Sequence, residues 1–282
     1  MKPLKSLNYE LQKPIEEYYN IYKIKTDNKI RIIYAPDPIL KTIQSNVLKE
    51  LTHRTSNMFP DCVHGFVKGK SINTAVEKHI GNKYIMTLDF KNFFPSHTRE
   101  ILFNKLNTKL PNDQIHKLID LCTYQDKMVL GSPLSPIITN LCMLEFDKQF
   151  NQWCQENNIT YTRYADDIIL SNNKSKFKTK TIIKVIYQIL KDTNTDYLKL
   201  NMKKLKFGKN NLLGINITNK GKLSVSVKVR RQLRAILFNY GINKVDFDEI
   251  DDKTKGLLSF IRMINYKQYE KLIENYYKGY EM

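Results

Sequence analysis

The chain has no paired cysteines. Cys62, Cys122, Cys142 and Cys154 form no CxxC motif. That removes a thiolate metal centre and leaves the expectation of reduced, mostly buried thiols in a cytoplasmic protein. His53, His64, His79, His97 and His116 show no ligand spacing with those cysteines, so zinc is not expected. No stretch approaches the roughly 18 uninterrupted apolar residues of a membrane span. The N-terminus has no apolar signal core, and no internal repeat is visible. No membrane partner is therefore expected. Acids are scarce as well: 28 Asp plus Glu against 46 Lys plus Arg leave a formal charge of +18. Such a chain suits a polyanionic partner, although a generally Lys-rich proteome would give the same balance. The 17 Tyr and 13 Phe include rings able to stack on bases, while most aromatics simply pack cores.

What the chain does have is a pair of adjacent acids inside a strand-like run, Tyr161-Thr-Arg-Tyr-Ala-Asp-Asp-Ile-Ile-Leu-Ser171. Neighbouring side chains in a regular strand point to opposite faces. Asp166 and Asp167 can serve one cation only at a hairpin tip, where the backbone reverses. Carboxylates are hard ligands that suit Mg²⁺ together with substrate phosphates. An ordinary acidic hairpin turn is the alternative, and for an isolated Asp-Asp it is the better one. A second stretch, Tyr84 to Ser96, reads as a buried strand ending in Asp89, with Pro95 stopping it soon after. A charge there is costly unless paired or bound to metal; a helix cap or an ion pair with Lys91 would also satisfy it. A third, Gly131-Ser-Pro-Leu-Ser-Pro136, shapes a loop before a helical pattern at Ile137, Leu141 and Leu144. A helix start there offers free N–H groups to phosphate.

In this order the three stretches resemble those of reverse transcriptases: a first acid followed by paired aromatics, a Gly-Ser-Pro…Ser-Pro loop, then Tyr-Ala-Asp-Asp. The resemblance covers roughly residues 28–280. It implies an α+β right-hand polymerase with an antiparallel palm sheet and a C-terminal helical thumb. Fingers and palm would occupy 1–222, the fingers mainly 1–83 and 97–130, and the thumb 223–282. The implied activity is RNA-directed DNA polymerisation. Asp89 and Asp166 would hold two Mg²⁺ ions, with Mn²⁺ as a substitute, Asp167 supporting the site and Phe90 counted with it. Arg31, Phe94, Gly131 and Lys203 (or its neighbour Lys204) would meet the nucleotide, and Leu213 with Gly214 would grip the primer. Lys228, Arg230, Arg231 and Arg234 would line a duplex. Solvated charges account equally for Arg31 and the lysines, a plain strand turn for Leu213-Gly214, and a solvated helix face for the thumb arginines.

The remaining pattern fits this frame. Tyr22–Lys25 and Ile30–Tyr34 flank an Asp27-Asn28 turn signal and read as the fingers hairpin. Ile39, Ile43, Val47 and Leu51 suggest an amphipathic helix over 39–55. His64–Ser71 is a basic loop whose two glycines let backbone approach phosphate, with a flexible surface loop as the alternative. A helix from Ile72 to His79 follows. Residues 98–122 read as two helices broken at Pro111, and 136–157 and 179–191 as one helix each. The basic helix opening at Val227, with Thr254–Ile264 and Lys267–Tyr280, reads as a three-helix bundle.

The compact plan, Phe93-Phe94-Pro95-Ser96 and His79-Ile-Gly81 resemble the bacterial retron-type group. Its members copy a dedicated structured RNA into DNA, usually in antiphage defence. The implied partners are a structured non-coding RNA template, its DNA product, deoxynucleoside triphosphates and an effector protein. Three positions depart from the pattern: Ala75 where the retron motif has Asn, Leu212-Leu213-Gly214 for Val-Thr-Gly, and Leu130 where many family members carry Gln. They keep open another defence-associated reverse transcriptase class. An RNA-binding scaffold or toxin-restraining subunit is the third reading, disfavoured by the intact acids.

Overall fold

The computed structural model describes residues 3–26, 29–107, 111–209 and 211–277. Strands β1 (Tyr19–Thr26) and β2 (Lys29–Pro36) form an antiparallel hairpin. The Asp27-Asn28 turn and the expected helix end at Tyr280 lie outside the described residues. Asp37 caps α1 (Pro38–Thr55) by accepting the Leu40 amide at 2.8 Å, and Pro38 presets its first turn. The buried face of α1 is Leu40, Gln44, Val47 and Leu51, not the row through Ile39 and Ile43; Ile39 is 59% exposed. A helix turns every 3.6 residues, so a strict four-step row drifts off the inner face. Gln44 is held inside by donating to Tyr19 Oη and the Leu121 carbonyl.

Ser71 and Thr74 form a capping box at the start of α2 (Ile72–Glu77), which stops two residues short of His79. Strand β3 (Tyr84–Asp89) follows, then α3 (Arg99–Leu106) and α4 (Asn112–Asp120), separated at Pro111, and the short pair β4 (Thr123–Tyr124) and β5 (Lys127–Met128). Helix α5 (Ser135–Glu156) leads to β6 (Thr160–Tyr164) and β7 (Asp167–Asn172), and α6 (Thr179–Asp192) leads to β8 (Lys206–Phe207). A second small hairpin pairs β9 (Ile215–Ile217) with β10 (Leu223–Val225). Three helices close the described chain: α7 (Val227–Ile242), α8 (Asp252–Ile264) and α9 (Tyr266–Tyr276). None of the helices among the described residues is long and apolar enough to cross a membrane.

Strands β6, β7, β3 and β8, in that order, make one antiparallel sheet. It is buried on both faces. Met86, Leu88, Ile168 and Leu170 join a core with α5 and α6, while Ile85 and Ile169 join a second core with α2 and the three terminal helices. A third core gathers α1, α3, α4 and the start of α5. All four cysteines are buried and none forms a disulfide among the described residues. Strand alternation would point the neighbours Phe93 and Phe94 to opposite faces, but beyond Asp89 the chain turns and neither is on a strand; Asn92 at φ +46 marks the bend. Their environments still diverge: Phe93 is 3% exposed and Phe94 only half-buried.

Beneath the β6–β7 hairpin lies a buried ion pair. Arg163 and Asp147 are both fully buried. The guanidinium meets the carboxylate twice, Nε to Oδ1 at 2.8 Å and Nη2 to Oδ2 at 2.6 Å. Its other donors reach the Ala165 carbonyl (2.9 Å) and Asn140 Oδ1 (3.0 Å), and Tyr161 Oη donates to Asp147 Oδ1 (2.8 Å). Every branch of the fork is used, as a buried charge requires. Asp147→Ala leaves the guanidinium without its counter-charge, and the expected loss is about 3–5 kcal/mol, read from the urea midpoint. Tyr161→Phe removes one hydrogen bond and should cost about 1 kcal/mol.

Three buried histidines add a pH dependence, His64 being pushed down to about 4 by burial and His79 and His97 likewise. His79 has its ring nitrogens 2.6 and 2.8 Å from Ser171 Oγ and Thr162 Oγ1, and His97 has Nδ1 2.8 Å from the Phe93 carbonyl. Burial pushes the imidazoles down, His79 to about 3 and His97 to about 4. All three are neutral when folded, and all three take up a proton near pH 6.5 once unfolded. The unfolded chain therefore binds more protons below that pH. Stability falls as pH drops through about 6.5 towards 4, by about 1.4 kcal/mol per pH unit for each histidine. Urea unfolding at pH 7 and pH 5 of the Asp166→Asn/Asp167→Asn variant, which lacks the two raised carboxyls that titrate in the opposite sense over that range, checks this; equal stabilities would overturn it.

Candidate active site

Strand β6 ends at Tyr164 and β7 begins at Asp167, and these two residues face each other in the ladder. Ala165-Asp166 is thus a two-residue turn. Ala165 sits at φ +54, a backbone usually left to glycine in such turns, and Arg163 holds it there through its carbonyl. On the other side of β7, Asp167 lies opposite Asp89 of β3. The Phe90 amide donates to the Asp166 carbonyl at 3.0 Å, tying the exit of β3 to the turn. Acids 78 positions apart in the chain (167 − 89) are in this way neighbours across one pair of strands.

The electrostatics are those of crowded like charges. Burial, then the Asp89 charge, raises the Asp166 carboxyl above its usual range. Burial, then Asp166 and Asp89, pushes Asp167 up to about 7. Two ammonium groups answer them in part: Lys204 Nζ lies 2.5 Å from Asp89 Oδ2, with Asn201 Nδ2 3.3 Å from Oδ1, and the Lys206 charge also pulls Asp167 down. The Asp89 hydrogen bond raises the Lys204 ammonium in turn.

The donor set fits a divalent metal. It consists of oxygen ligands whose charges repel, and a cation, the Lys204 ammonium, already sits against one of them. As the side chains stand, no three His, Cys, Asp or Glu among the described residues converge on one ion position; Asp89 is engaged by Lys204 and Asn201. Phe90 offers the site only main chain, because its ring is 1% exposed and stacks on Phe93 at 5.9 Å.

A cavity of about 240 Å³ opens beside these groups, lined by Asp89, Asp167, Lys204, Lys206, Leu213 and Gly214 among others. Leu213 (φ +53) and Gly214 (φ +83) form the tight turn leading into β9. The larger cavity, about 610 Å³ between α3, α5 and the end of α6, contains none of the candidate residues.

The other sequence candidates are not joined to the acid cluster. Arg31 stands exposed on β2 opposite Ile24. Lys203 is exposed in the 3₁₀ turn Met202–Lys204, and it is Lys204 that meets Asp89. Gly131 serves the protein's own backbone: at φ +122, an added Cβ would lie 2.3 Å from the Tyr34 carbonyl oxygen, and the Tyr34 amide donates to the Leu130 carbonyl at 2.8 Å. The start of α5 is no open phosphate cradle, since Leu134 and Ser135 are buried and Ser135 Oγ is bound to the Val129 carbonyl. On α7, Lys228, Arg231 and Arg234 are exposed, Arg230 is half-buried, and Arg234 lies 5.5 Å above the Tyr276 ring. Asn201 and the Arg163–Asp147 pair were missed. Asn201 stands two residues before Lys203 in Asn201-Met-Lys-Lys204, and Asp147 is an acid among Met143, Leu144, Phe146 and Phe150, where a solvated charge has no place.

Comparison with known proteins matches residues 23–217 to the family described as reverse transcriptase (RNA-dependent DNA polymerase). The retron Ec83 reverse transcriptase of Escherichia coli is 28% identical over 279 residues, covering 92% of this chain and 87% of its own. The retron Ec73 reverse transcriptase of the same organism is 29% identical over 280 residues, covering 90% and 85%. Among solved structures, apo telomerase from Candida tropicalis superposes over 97% of this chain with a TM-score of 0.56 at 11% identity, and this chain spans 59% of that one. A telomerase from the same organism in complex with a fragment of telomeric RNA gives 0.53 at 14% identity, over 91% of this chain and 53% of its own. Those likenesses speak for the right-hand polymerase fold expected from the sequence. With the motif order, the paired acids and a family match over most of its length, the chain belongs to the reverse transcriptase family and is an RNA-directed DNA polymerase.

Proposed function

We propose that Asp89, Asp166 and Asp167 hold two Mg²⁺ ions, with Mn²⁺ able to substitute, and that the enzyme copies a structured non-coding RNA into DNA within a retron-like antiphage system. Dependence on a divalent metal goes with the family in general. The observation that carries the reading is the register: Asp89 lies opposite Asp167, and Asp166 sits in the adjoining two-residue turn. Metal bound there supplies Lewis acidity, lowering the pKa of a primer hydroxyl and offsetting triphosphate charge.

The chain's own groups do the rest. Asp89 and Asp166 orient the reacting ends, and Asp167 supports them. Lys204, placed against Asp89, brings positive charge to where phosphate oxygens would lie. Leu213 and Gly214 present a tight turn to the primer end from the far side of the cavity, and Phe94 lies under the incoming sugar. Arg31 belongs to the nucleotide side, and Lys228, Arg230, Arg231 and Arg234 contact duplex phosphates. Fingers and palm span 1–222 and the thumb 223–282, the thumb core meeting the palm sheet at Ile85 and Ile169. The partners are the RNA template, its DNA product, deoxynucleoside triphosphates and an effector protein, in the cytoplasm. Two of the departures from the retron pattern fall in packed positions, Ala75 and Leu212 being 0% and 1% exposed. They alter packing and take nothing from the acid cluster.

Asp166→Asn together with Asp167→Asn should abolish Mg²⁺-dependent primer extension on an RNA template while RNA binding persists, since the basic surfaces are untouched. Wild-type extension by the double variant would sink the assignment. Phe94→Ala should admit ribonucleotides, because a ring packed at C2′ leaves no volume for another oxygen. The ratio of kcat/KM for deoxy- over ribonucleotides reads this out. Phe93→Ala, the buried control, should instead cost about 3–5 kcal/mol of stability.

A further inference from the structure

The loop His64–Ser71 adopts a conformation that its sequence alone does not explain. Phe66 has φ +59, an outlier for a bulky side chain, and its ring is 48% exposed. Residues held in such backbone persist where the surroundings over-determine them, and they gather at functional sites. Here the surroundings do so. The His64 amide donates to the Arg163 carbonyl at 2.9 Å, and Val63 bridges Arg163 in parallel. Asn140 Nδ2 donates to the Gly65 carbonyl at 2.8 Å. Gly65 lies so close to the turn that an added Cβ would stand 2.6 Å from the Ala165 nitrogen. Residues 63–65 are therefore clamped to the strand that runs into the catalytic turn. The next ring along is delivered beside Tyr164, centroid to centroid 5.7 Å and tilted by 40°. Tyr164 itself immediately precedes Ala165-Asp166, and the side chain of Lys68, two residues beyond Phe66, is exposed.

We propose that Phe66 and Tyr164 form a stacking platform for one nucleobase of the primer–template at the catalytic turn. The inference rests on the polymerase reading and adds a base-binding subsite to it. An exposed ring held against strain does nothing for the core, whereas a base offers it a flat π-face. Stacking is indifferent to base identity, as a polymerase that copies every base requires. The platform stands at the β6 edge of the sheet, and the cavity with Leu213 and Gly214 opens at the β3–β8 side. A duplex over the carboxylates would lie between the two.

The test uses the full chain and an RNA-template/DNA-primer duplex without nucleotides. 2-Aminopurine is placed at the first unpaired template position in one duplex and at the primer 3′ end in another. Quenching on binding is expected in one arm, which names the strand that supplies the base. Phe66→Asn accepts left-handed backbone but has no ring; it should abolish the quench, weaken binding about 5-fold or more, and leave Tm unchanged or higher. Phe66→Tyr should restore both signals. Quenching in neither arm, unchanged affinity in Phe66→Asn, a Tm drop in that variant, or a loss in Phe66→Tyr equal to that in Phe66→Asn overturns the platform. Template-directed extension by the wild-type protein is scored separately, so its absence would count against the polymerase reading and not against the stacking site.

Discussion

The site depends on one buried contact, the fork of Arg163 on Asp147. Burying a guanidinium is expensive, and only full use of its donors makes it tolerable. That requirement reaches outward from the pair. Asp147 and Asn140 must come from one face of α5, two turns apart. The Ala165 carbonyl must point back at the fork, which fixes the backbone of a turn that an alanine would not choose. Asn140, engaged by the fork, turns its amide to Gly65 and brings in the loop at residues 63–65. A helix, a hairpin and a loop are thus registered by one charge. Hydrophobic contacts among the same elements are non-directional and would tolerate sliding that carboxylate chemistry does not.

Above that rigid base the site is electrostatically tense. Asp166 and Asp167 are raised by burial and by their acidic neighbours, and the ammonium groups of Lys204 and Lys206 partly compensate. Such crowding of like charges in a buried place costs folding energy.

Much of this was legible in the sequence, for a reason of scale. The hairpin around Asp166-Asp167, the strand ending at Asp89, the break at Pro111 and the long helix before Thr160 are local patterns with turn or apolar signals of their own. What escaped was set by tertiary partners. Arg163 sits in an alternating strand and reads as solvent-facing until Asp147 is known to stand behind it. Lys203 and Lys204 are equivalent in sequence, and the course of a short 3₁₀ turn chooses between them. Gly131 and the start of α5 suggested an anion cradle, but the fold spends the glycine on clearance for Tyr34 and buries the helix start. Ile39 fell off the inner face of α1 because a row of four-residue steps and a turn of 3.6 residues part company.

The palm sheet shares its two faces between two cores. Met86, Leu88, Ile168 and Leu170 belong to one, Ile85 and Ile169 to the other, together with the terminal helices and Val76. Alternation along β3 and β7 makes the same two strands the wall of both. The terminal helices are therefore not a detachable cassette. Recombination that exchanged residues 223–282 with a diverged relative would carry over the helices but not Val76, Ile85, Ile169, Leu212, Ile215 and Ile217, with which they share a core, so this region should be inherited in blocks that include those positions.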